Sequence, residues 1–137
     1  MLLVSAMLAQ IGWTFVVLML MGRARVGALR SRQTTISAVA LGNDSWPDKV
    51  KAISNNFSNQ FETPVLFYVL CGLALFLGAA NWLTGALAWL FVATRIAHTL
   101  VHAGDNNVLL RFRIYMGGVI VLVALWLALV ARITFGV

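Results

Sequence analysis

Charged residues are scarce in this chain. Only 10% of its 137 residues are Asp, Glu, Lys or Arg, and only four are acidic. A soluble globular domain has about a quarter of its residues charged. Hydrophobic residues make up 61% of the chain, and its mean hydropathy is +0.91. This composition excludes an ordinary soluble domain and predicts an integral membrane protein.

Cysteine and proline are also nearly absent. The single cysteine, Cys71, excludes an intrachain disulfide, and there are only two prolines. Pro47 suits the first turn of a helix. We expect the helix that begins near it to run without a break into a membrane span. Pro64 removes one helical hydrogen bond, so a kink is expected at that point.

Four hydrophobic runs are each close to the roughly 20 residues that a helix needs to cross about 30 Å of hydrocarbon. They are residues 2–22, 63–81, 83–103 and 114–132. The second is expected to extend into the cytoplasm as a helix from about residue 47. The predicted fold is therefore all-α: a membrane-spanning four-helix bundle that forms a single domain over residues 1–137.

The distribution of basic residues predicts the topology. They are concentrated between spans one and two and between spans three and four: Arg23, Arg25, Arg30, Arg32, Lys49, Lys51, Arg111 and Arg113. The positive-inside rule then places both loops in the cytoplasm and both termini outside. Short loops without a signal-peptide pattern favour a bacterial inner membrane, where anionic membrane lipids attract basic loops. No nucleic-acid partner is expected, because the charge is split between loops and no binding motif accompanies it.

The third span contains a stripe of polar residues. Arg95, His98, Thr99 and His102 are spaced i, i+3, i+4 and i+7, so they share one side of a helix. Arg95 lies roughly 12 Å inside the cytoplasmic end of that helix. Ionisable side chains in hydrocarbon are costly unless they meet a partner or a water-filled cavity. The stripe therefore marks a candidate functional site.

A second polar face precedes and enters the second span. Its members recur at helical spacing and are Lys51, Asn55, Asn59 and Glu62. The very short turn after this span predicts that spans two and three pack as antiparallel neighbours. Glu62 and Arg95 would then lie at similar depth, so we expect them to form an ion pair. That pair could fix the register of the helices or contribute to ligand binding, and both roles stay open.

Two histidines on the third span raise the question of a metal. His98 and His102 are at i, i+4, a spacing that could hold a metal ion with Glu62 as third ligand. A cationic Arg95 on the same face opposes a bound cation. We therefore expect no metal. His98 is expected to be a structural polar residue that forms a hydrogen bond to a neighbouring helix.

Two motifs and one further arginine resemble the MAPEG family, the membrane-associated proteins of eicosanoid and glutathione metabolism. Residues 59–64, NQFETP, resemble the N-x-x-E…P signature in that family's second helix. Residues 95–102, RIAHTLVH, resemble its third-helix motif, which microsomal glutathione transferases carry in similar form. Arg111 matches the family arginine at the start of the fourth helix. With the four-span layout, the resemblance covers nearly the whole chain.

The resemblance implies a left-handed four-helix bundle in each subunit and a homotrimer. It also implies that glutathione binds as a substrate between subunits, on the cytoplasmic side, at Asn59, Glu62, Arg95 and Arg111. The implied catalytic residue is Arg111, because a nearby cation stabilises a thiolate. The second substrate would be a lipophilic small molecule arriving from the bilayer. It would be an electrophile that is conjugated or a lipid hydroperoxide that is reduced.

Two positions depart from the catalytic members of the family. Asn55 stands where they usually carry arginine, and His102 stands where they usually carry tyrosine; at these positions both are expected to contribute to the glutathione site. Lys51 or Arg113 could restore the charge and contribute to glutathione binding, although lysine lacks the bidentate fork of arginine. Two function classes therefore stay open. One is a glutathione-dependent transferase or peroxidase, and the other is a non-catalytic trimeric accessory or lipid-binding protein of the same fold.

Overall fold

The computed structural model describes residues 1–40, 42–103 and 107–136, with the side chains of residues 102 and 103 outside that description. These residues form six α-helices and no β-strand. The helices are α1 (Leu2–Arg30), α2 (Ile36–Val39), α3 (Asp48–Ser58), α4 (Thr63–Phe76), α5 (Trp82–Ala103) and α6 (Val108–Phe135). Four segments are long and apolar enough to span a membrane, with α3 and α4 counted as one. The predicted all-helical chain with four spans is confirmed.

Helix α1 continues well beyond the hydrophobic run that predicted it. The run ends near residue 22, but the helix ends at Arg30. Its 29 residues measure about 44 Å, which exceeds a hydrocarbon core of about 30 Å. The inner face of α1 contains Leu3, Ala6 and Gln10, all buried. The last two turns of α1 therefore extend beyond the hydrocarbon core. The face of α1 opposite these buried residues is exposed on the outside of the bundle.

The second span is interrupted where an unbroken helix was expected. Between α3 and α4 the chain forms a short 3-10 helix, Asn59–Phe61. Glu62 follows with non-helical dihedral angles, φ −98° and ψ −98°. Pro64 has no backbone N–H, so the carbonyl group of Gln60 cannot receive the i+4 hydrogen bond that a continuous helix would supply. The expectation of a continuous helix is wrong: the distortion falls one turn before the proline and extends over several residues.

The core is built around α5, which packs against α1 on one side and α6 on the other. Phe67 of α4 stacks on Phe91 of α5 with ring centroids 4.8 Å apart, and both rings are fully buried. Small residues such as Ala6, Ala74 and Ala88 are also completely buried. Small side chains let helices approach closely in a membrane, where apolar burial alone gives little drive to associate. Van der Waals packing along α5 therefore holds the bundle together.

Neighbouring glycines on α6 provide a direct test of this packing. A Cβ atom at Gly118 would lie 2.9 Å from the Thr94 hydroxyl oxygen, whereas one at Gly117 would meet nothing within 4 Å. Thr94 cannot easily move, because its hydroxyl group donates a 2.7 Å hydrogen bond to the Phe91 carbonyl. We expect Gly118→Val to destabilise the protein by about 1–3 kcal/mol, as overpacking does. Thermal unfolding in detergent micelles measures the effect, with Gly117→Val as matched control. Equal melting temperatures for the two variants would contradict the α5–α6 contact.

Candidate functional site

A cavity of about 280 Å³ opens at the junction of the helix break, α5 and α6. The break contributes Asn59 and Glu62, and α5 contributes His98. Arg111 and Tyr115 line the cavity from α6, together with two apolar side chains. The cavity therefore contains a carboxylate, a guanidinium, an amide and a phenol within one small volume.

Local structure explains how these side chains converge. Helix α6 begins at Val108, and the Asn107 side chain caps it by accepting a 3.1 Å hydrogen bond from the Leu110 N–H. This start places Arg111 in the first turn. Tyr115 follows four residues later, so it lies on the same face of the helix. Opposite them, the 3-10 turn and the irregular Glu62 direct Asn59 and Glu62 into the cavity.

Arg95 lies directly behind the cavity and is almost completely buried, with 1% of its surface exposed. One terminal nitrogen, Nη1, donates a 3.0 Å hydrogen bond to the hydroxyl oxygen of Thr63. Its Nε and Nη2 atoms have no hydrogen-bond partner among the described residues. The guanidinium lies 5.2 Å from the centroid of the Tyr115 ring and 5.7 Å from that of Phe91, so aromatic faces surround the cation.

The predicted ion pair between Glu62 and Arg95 is wrong for this structure. In the described part of the chain, the ion pair that forms is a local one, Lys51–Asp48 at 3.6 Å. Glu62 is exposed and lines the cavity, whereas Arg95 is buried and contacts the next residue, Thr63. The helix break explains the difference. It turns Glu62 outward and leaves Thr63 facing α5.

The remaining predicted site residues lie in different surroundings. Asn55 and Arg113 are exposed, Lys51 pairs with Asp48, and none of the three lines the cavity. His98 is buried and lies beside Tyr115, with ring centroids 6.1 Å apart. The side chain of His102 lies outside the described residues. Of the nine predicted positions, the cavity thus brings together Asn59, Glu62, His98 and Arg111.

The comparison with protein families agrees with the motifs that form this cavity. A family model described as the MAPEG family matches residues 3–131. The chain belongs to the MAPEG family. Searches of curated proteins and of solved structures each gave no significant match. The match covers all four membrane-crossing segments and both motifs. Every residue that lines the cavity therefore lies in the part of the chain that matches the family model.

Tyr115 is a feature of this MAPEG protein that sequence reasoning missed. The tyrosine that catalytic relatives usually carry on the third helix is replaced by His102 in the sequence. The phenol that lines the cavity comes instead from the fourth span, where it contacts Arg95 and lies near His98. Its spacing of four residues from Arg111 was the available signal.

A second buried polar cluster holds the MAPEG bundle together away from the cavity. The side-chain amide of Gln10 donates to that of Gln60 at 3.1 Å, and Gln60 also donates to the Asn56 carbonyl. Thr99 donates to the Asn56 side chain at 3.3 Å and accepts from the Trp13 indole at 3.2 Å. Thr99 therefore faces α1 and α3, not the cavity that His98 lines. The predicted stripe divides between two sides of α5.

The described residues contain no group of three or more His, Cys, Asp or Glu side chains arranged to hold a metal ion. In the cavity the potential ligands are Glu62 and His98, which share the space with the cationic Arg111. A guanidinium at this position favours anions. This combination of side chains suits an anion or a zwitterion better than a metal cation.

Proposed function

We propose that this protein binds glutathione in the cavity between the helix break and α6. We further propose that it uses the thiolate to conjugate lipophilic electrophiles or to reduce lipid hydroperoxides. The observation that carries the proposal is that Glu62 and Arg111, side chains of opposite charge, line the same cavity of about 280 Å³. MAPEG membership supports it, because Glu62 lies in one of the motifs, and Arg111 is the further arginine, through which the chain resembles glutathione-dependent relatives.

The charges in and beside the cavity complement a glutathione molecule. Glutathione carries one amino group and two carboxylates. The Glu62 carboxylate suits the ammonium group, and the Arg111 guanidinium suits an anionic group through charge-assisted hydrogen bonds. The amide of Asn59 and the phenol of Tyr115 supply further neutral donors and acceptors at the same surface. Arg95, behind the cavity, adds a second positive charge to the field.

Arg111 is the residue proposed to stabilise the glutathione thiolate. A thiol reacts as its thiolate, and a neighbouring cation lowers the thiol pKa. In conjugation, the sulfur lone pair forms a carbon–sulfur bond while the leaving group departs with its bonding electrons. The thiol proton is released to solvent. The protein would therefore act by holding the anion in place before the electrophile arrives, and a dedicated general base would not be required.

The second substrate is proposed to reach the thiolate along the seam between α4 and α6. An apolar groove of about 250 Å³ lies there, lined by Thr63, Leu66, Val69, Leu70, Val119, Leu122, Val123 and Trp126. Thr63 of this groove accepts a hydrogen bond from Arg95, and Arg95 in turn contacts the cavity residue Tyr115, so the groove lies close to the cavity. A lipophilic molecule dissolved in the bilayer could enter this groove without passing through water.

A homotrimer in a bacterial inner membrane, with cytoplasmic basic loops, is the assembly and location proposed for this activity. The outer edge of the cavity is formed by Val108 and Phe112, which are exposed by 63% and 59%. Apolar side chains at the mouth of a polar cavity suit contact with a neighbouring subunit or with lipid. Closing the cavity by a second copy would also exclude water from the thiolate.

A non-catalytic accessory or lipid-binding role is the second candidate. Asn55, at the position where catalytic relatives usually carry arginine, is exposed and does not line the cavity. The anion-binding side of the cavity therefore has one guanidinium fewer than the family pattern would provide. Weak or absent glutathione binding would favour this second role.

Glutathione binding by the purified protein tests the proposal. We expect saturable binding at millimolar glutathione, measured by calorimetry in detergent micelles. Glu62→Gln keeps the size of the side chain but removes its charge, so the dissociation constant should rise about tenfold, as for loss of a charge-assisted hydrogen bond. Asp48→Asn makes the same chemical change outside the cavity and should bind like the unmodified protein. No saturable binding would contradict the glutathione function, and equal effects of the two variants would contradict this cavity as its site.

A further inference from the structure

A basic groove runs along the outer face of α1, away from the cavity. It has a volume of about 520 Å³ and is lined only by α1 residues: Met19, Gly22, Arg23, Val26, Gly27 and Arg30. These positions follow the i, i+3, i+4, i+7 spacing of one helical face. The glycines form its floor, because a Cβ atom at Gly22 or Gly27 would meet nothing within 4 Å. Long side chains form its walls.

The two arginines of this groove are directed outward. Arg23 and Arg30 are exposed, and in the described part of the chain neither guanidinium has a hydrogen-bond or ion-pair partner. Arg25, from the same two turns, differs: it donates to Ser54 at 3.2 Å and lies 5.4 Å from the centroid of the Trp46 ring. The protein thus uses Arg25 for its own packing and leaves Arg23 and Arg30 available.

The groove lies at the level of lipid headgroups. The hydrophobic run 2–22 covers about 30 Å, which matches the hydrocarbon core, so Arg23 stands at its edge. Arg30 lies roughly 10 Å farther along the helix, a few Å beyond a headgroup layer about 5–7 Å thick, and its long side chain can reach back toward that layer. A phosphate between the two guanidiniums would therefore be at its usual depth in a bilayer.

The same face continues toward the centre of the membrane as an apolar strip. Met19, Phe15 and Leu8 follow Arg23 down the helix and are exposed by 61%, 59% and 63%. An acyl chain extending from a phosphate at Arg23 would lie along these side chains. The face thus offers positive charge at headgroup depth and an apolar path below it, which is the pattern of a phospholipid.

We propose that this groove binds an anionic phospholipid, with its phosphate between Arg23 and Arg30 and one acyl chain along the Met19–Leu8 strip. Neutral phospholipids have the same acyl chains but lack the net negative charge, so they should occupy the groove less. Each basic residue near an anionic surface contributes roughly a fivefold gain in binding. This site is separate from the cavity between the helix break and α6, and it does not depend on the glutathione function.

Native mass spectrometry of the detergent-purified protein, titrated with dioleoyl phosphatidylglycerol or dioleoyl phosphatidylcholine, tests this proposal. We expect the unmodified protein to retain phosphatidylglycerol preferentially. The double variant Arg23→Gln/Arg30→Gln should lose about 25-fold in that preference, because two contributions of roughly fivefold are removed. Arg32→Gln removes an exposed arginine beyond the end of α1 that does not line the groove, so it should lower the preference far less than the double variant does. Equal retention of both lipids by the unmodified protein, or equal losses in the double variant and the control, would overturn the proposal.

Gly22→Leu separates a shaped groove from general attraction of basic residues to anionic lipid. The new side chain keeps the charge, has open space at its Cβ and fills the groove floor. We expect the preference for phosphatidylglycerol to fall while the oligomeric mass in the same spectra stays constant.

A change of oligomeric mass would show that this face packs against a second copy of the chain. Displacement of the lipid by added glutathione would assign the arginines to the glutathione site. An unchanged preference would show attraction by charge alone, and each of these three results would overturn the lipid groove.

Discussion

Replacing Arg111 with glutamine is expected to slow conjugation about 100- to 1,000-fold. Loss of one preorganised group that stabilises charge at a reacting centre has effects of this size. Arg111 is the cationic side chain that lines the cavity from α6, opposite Glu62 and Asn59. Without it, the pKa of the bound thiol should rise and the thiolate fraction at neutral pH should fall. Thiolate absorbance in the ultraviolet and the rate with a chlorodinitrobenzene measure the two effects separately.

Arg113 supplies the matched control for this experiment. It lies two residues farther along α6, is exposed, and does not line the cavity. Arg113→Gln therefore makes the same chemical change on another side of the same helix and should keep both the thiolate absorbance and the rate. Loss of thiolate in both variants would indicate a general effect of positive charge at this end of the bundle. Normal thiolate formation in Arg111→Gln would refute the role proposed for Arg111.

Replacing Arg95 with methionine should stabilise the bundle and weaken the glutathione site at the same time. Arg95 is almost completely buried, yet the Nε and Nη2 atoms of its guanidinium have no partner among the described residues. A well-packed apolar side chain in place of buried charge is often stabilising, by about 1–4 kcal/mol. Methionine is long and flexible enough to fill the space between Phe91 and Tyr115. Thermal unfolding in micelles should therefore show a higher melting temperature.

The same variant should bind glutathione more weakly, because Arg95 contributes positive charge behind the cavity through its contact with Tyr115. Arg95→Lys keeps the charge but loses the planar fork of the guanidinium. Its melting temperature and its glutathione affinity should both lie between those of the unmodified protein and those of Arg95→Met. A lower melting temperature for Arg95→Met would show that the guanidinium gains partners in the assembled protein. Greater stability with unchanged glutathione affinity would make Arg95 a structural residue only.

The parts of the fold that depend on hydrophobicity could be predicted from the sequence. Long apolar runs specify spans almost by themselves, because a bilayer admits helices whose backbone groups are satisfied internally. The gathering of Asn59, Glu62 and Arg111 was also foreseen, through helical spacing and family resemblance. The rotation of each helix relative to its neighbours could not be predicted. It depends on the backbone conformation of a few residues, which composition and periodicity do not reveal.

The break before α4 shows why this information is missing from a helical projection. A 3-10 helix turns about 120° per residue, against about 100° in an α-helix. Over Asn59–Phe61 the difference accumulates to about 60°, enough to move Glu62 from α5 into the cavity and bring Thr63 to Arg95. Thr99 was assigned to the wrong side for a related reason. Its actual partners, Asn56 and Trp13, come from helices whose rotation the sequence does not fix.

The helix break also bears on where water can go. Because Pro64 has no backbone N–H, the Gln60 carbonyl group loses its i+4 helical donor inside a segment apolar enough to span the bilayer. Irregular backbone at membrane depth is tolerated where it is enclosed by protein or borders a hydrated space. Asn59 and Glu62, which flank this carbonyl along the chain, line the cavity of about 280 Å³. If glutathione binds there, we expect the distortion to give a charged tripeptide polar surroundings between two apolar helices while its sulfur approaches a lipophilic reactant.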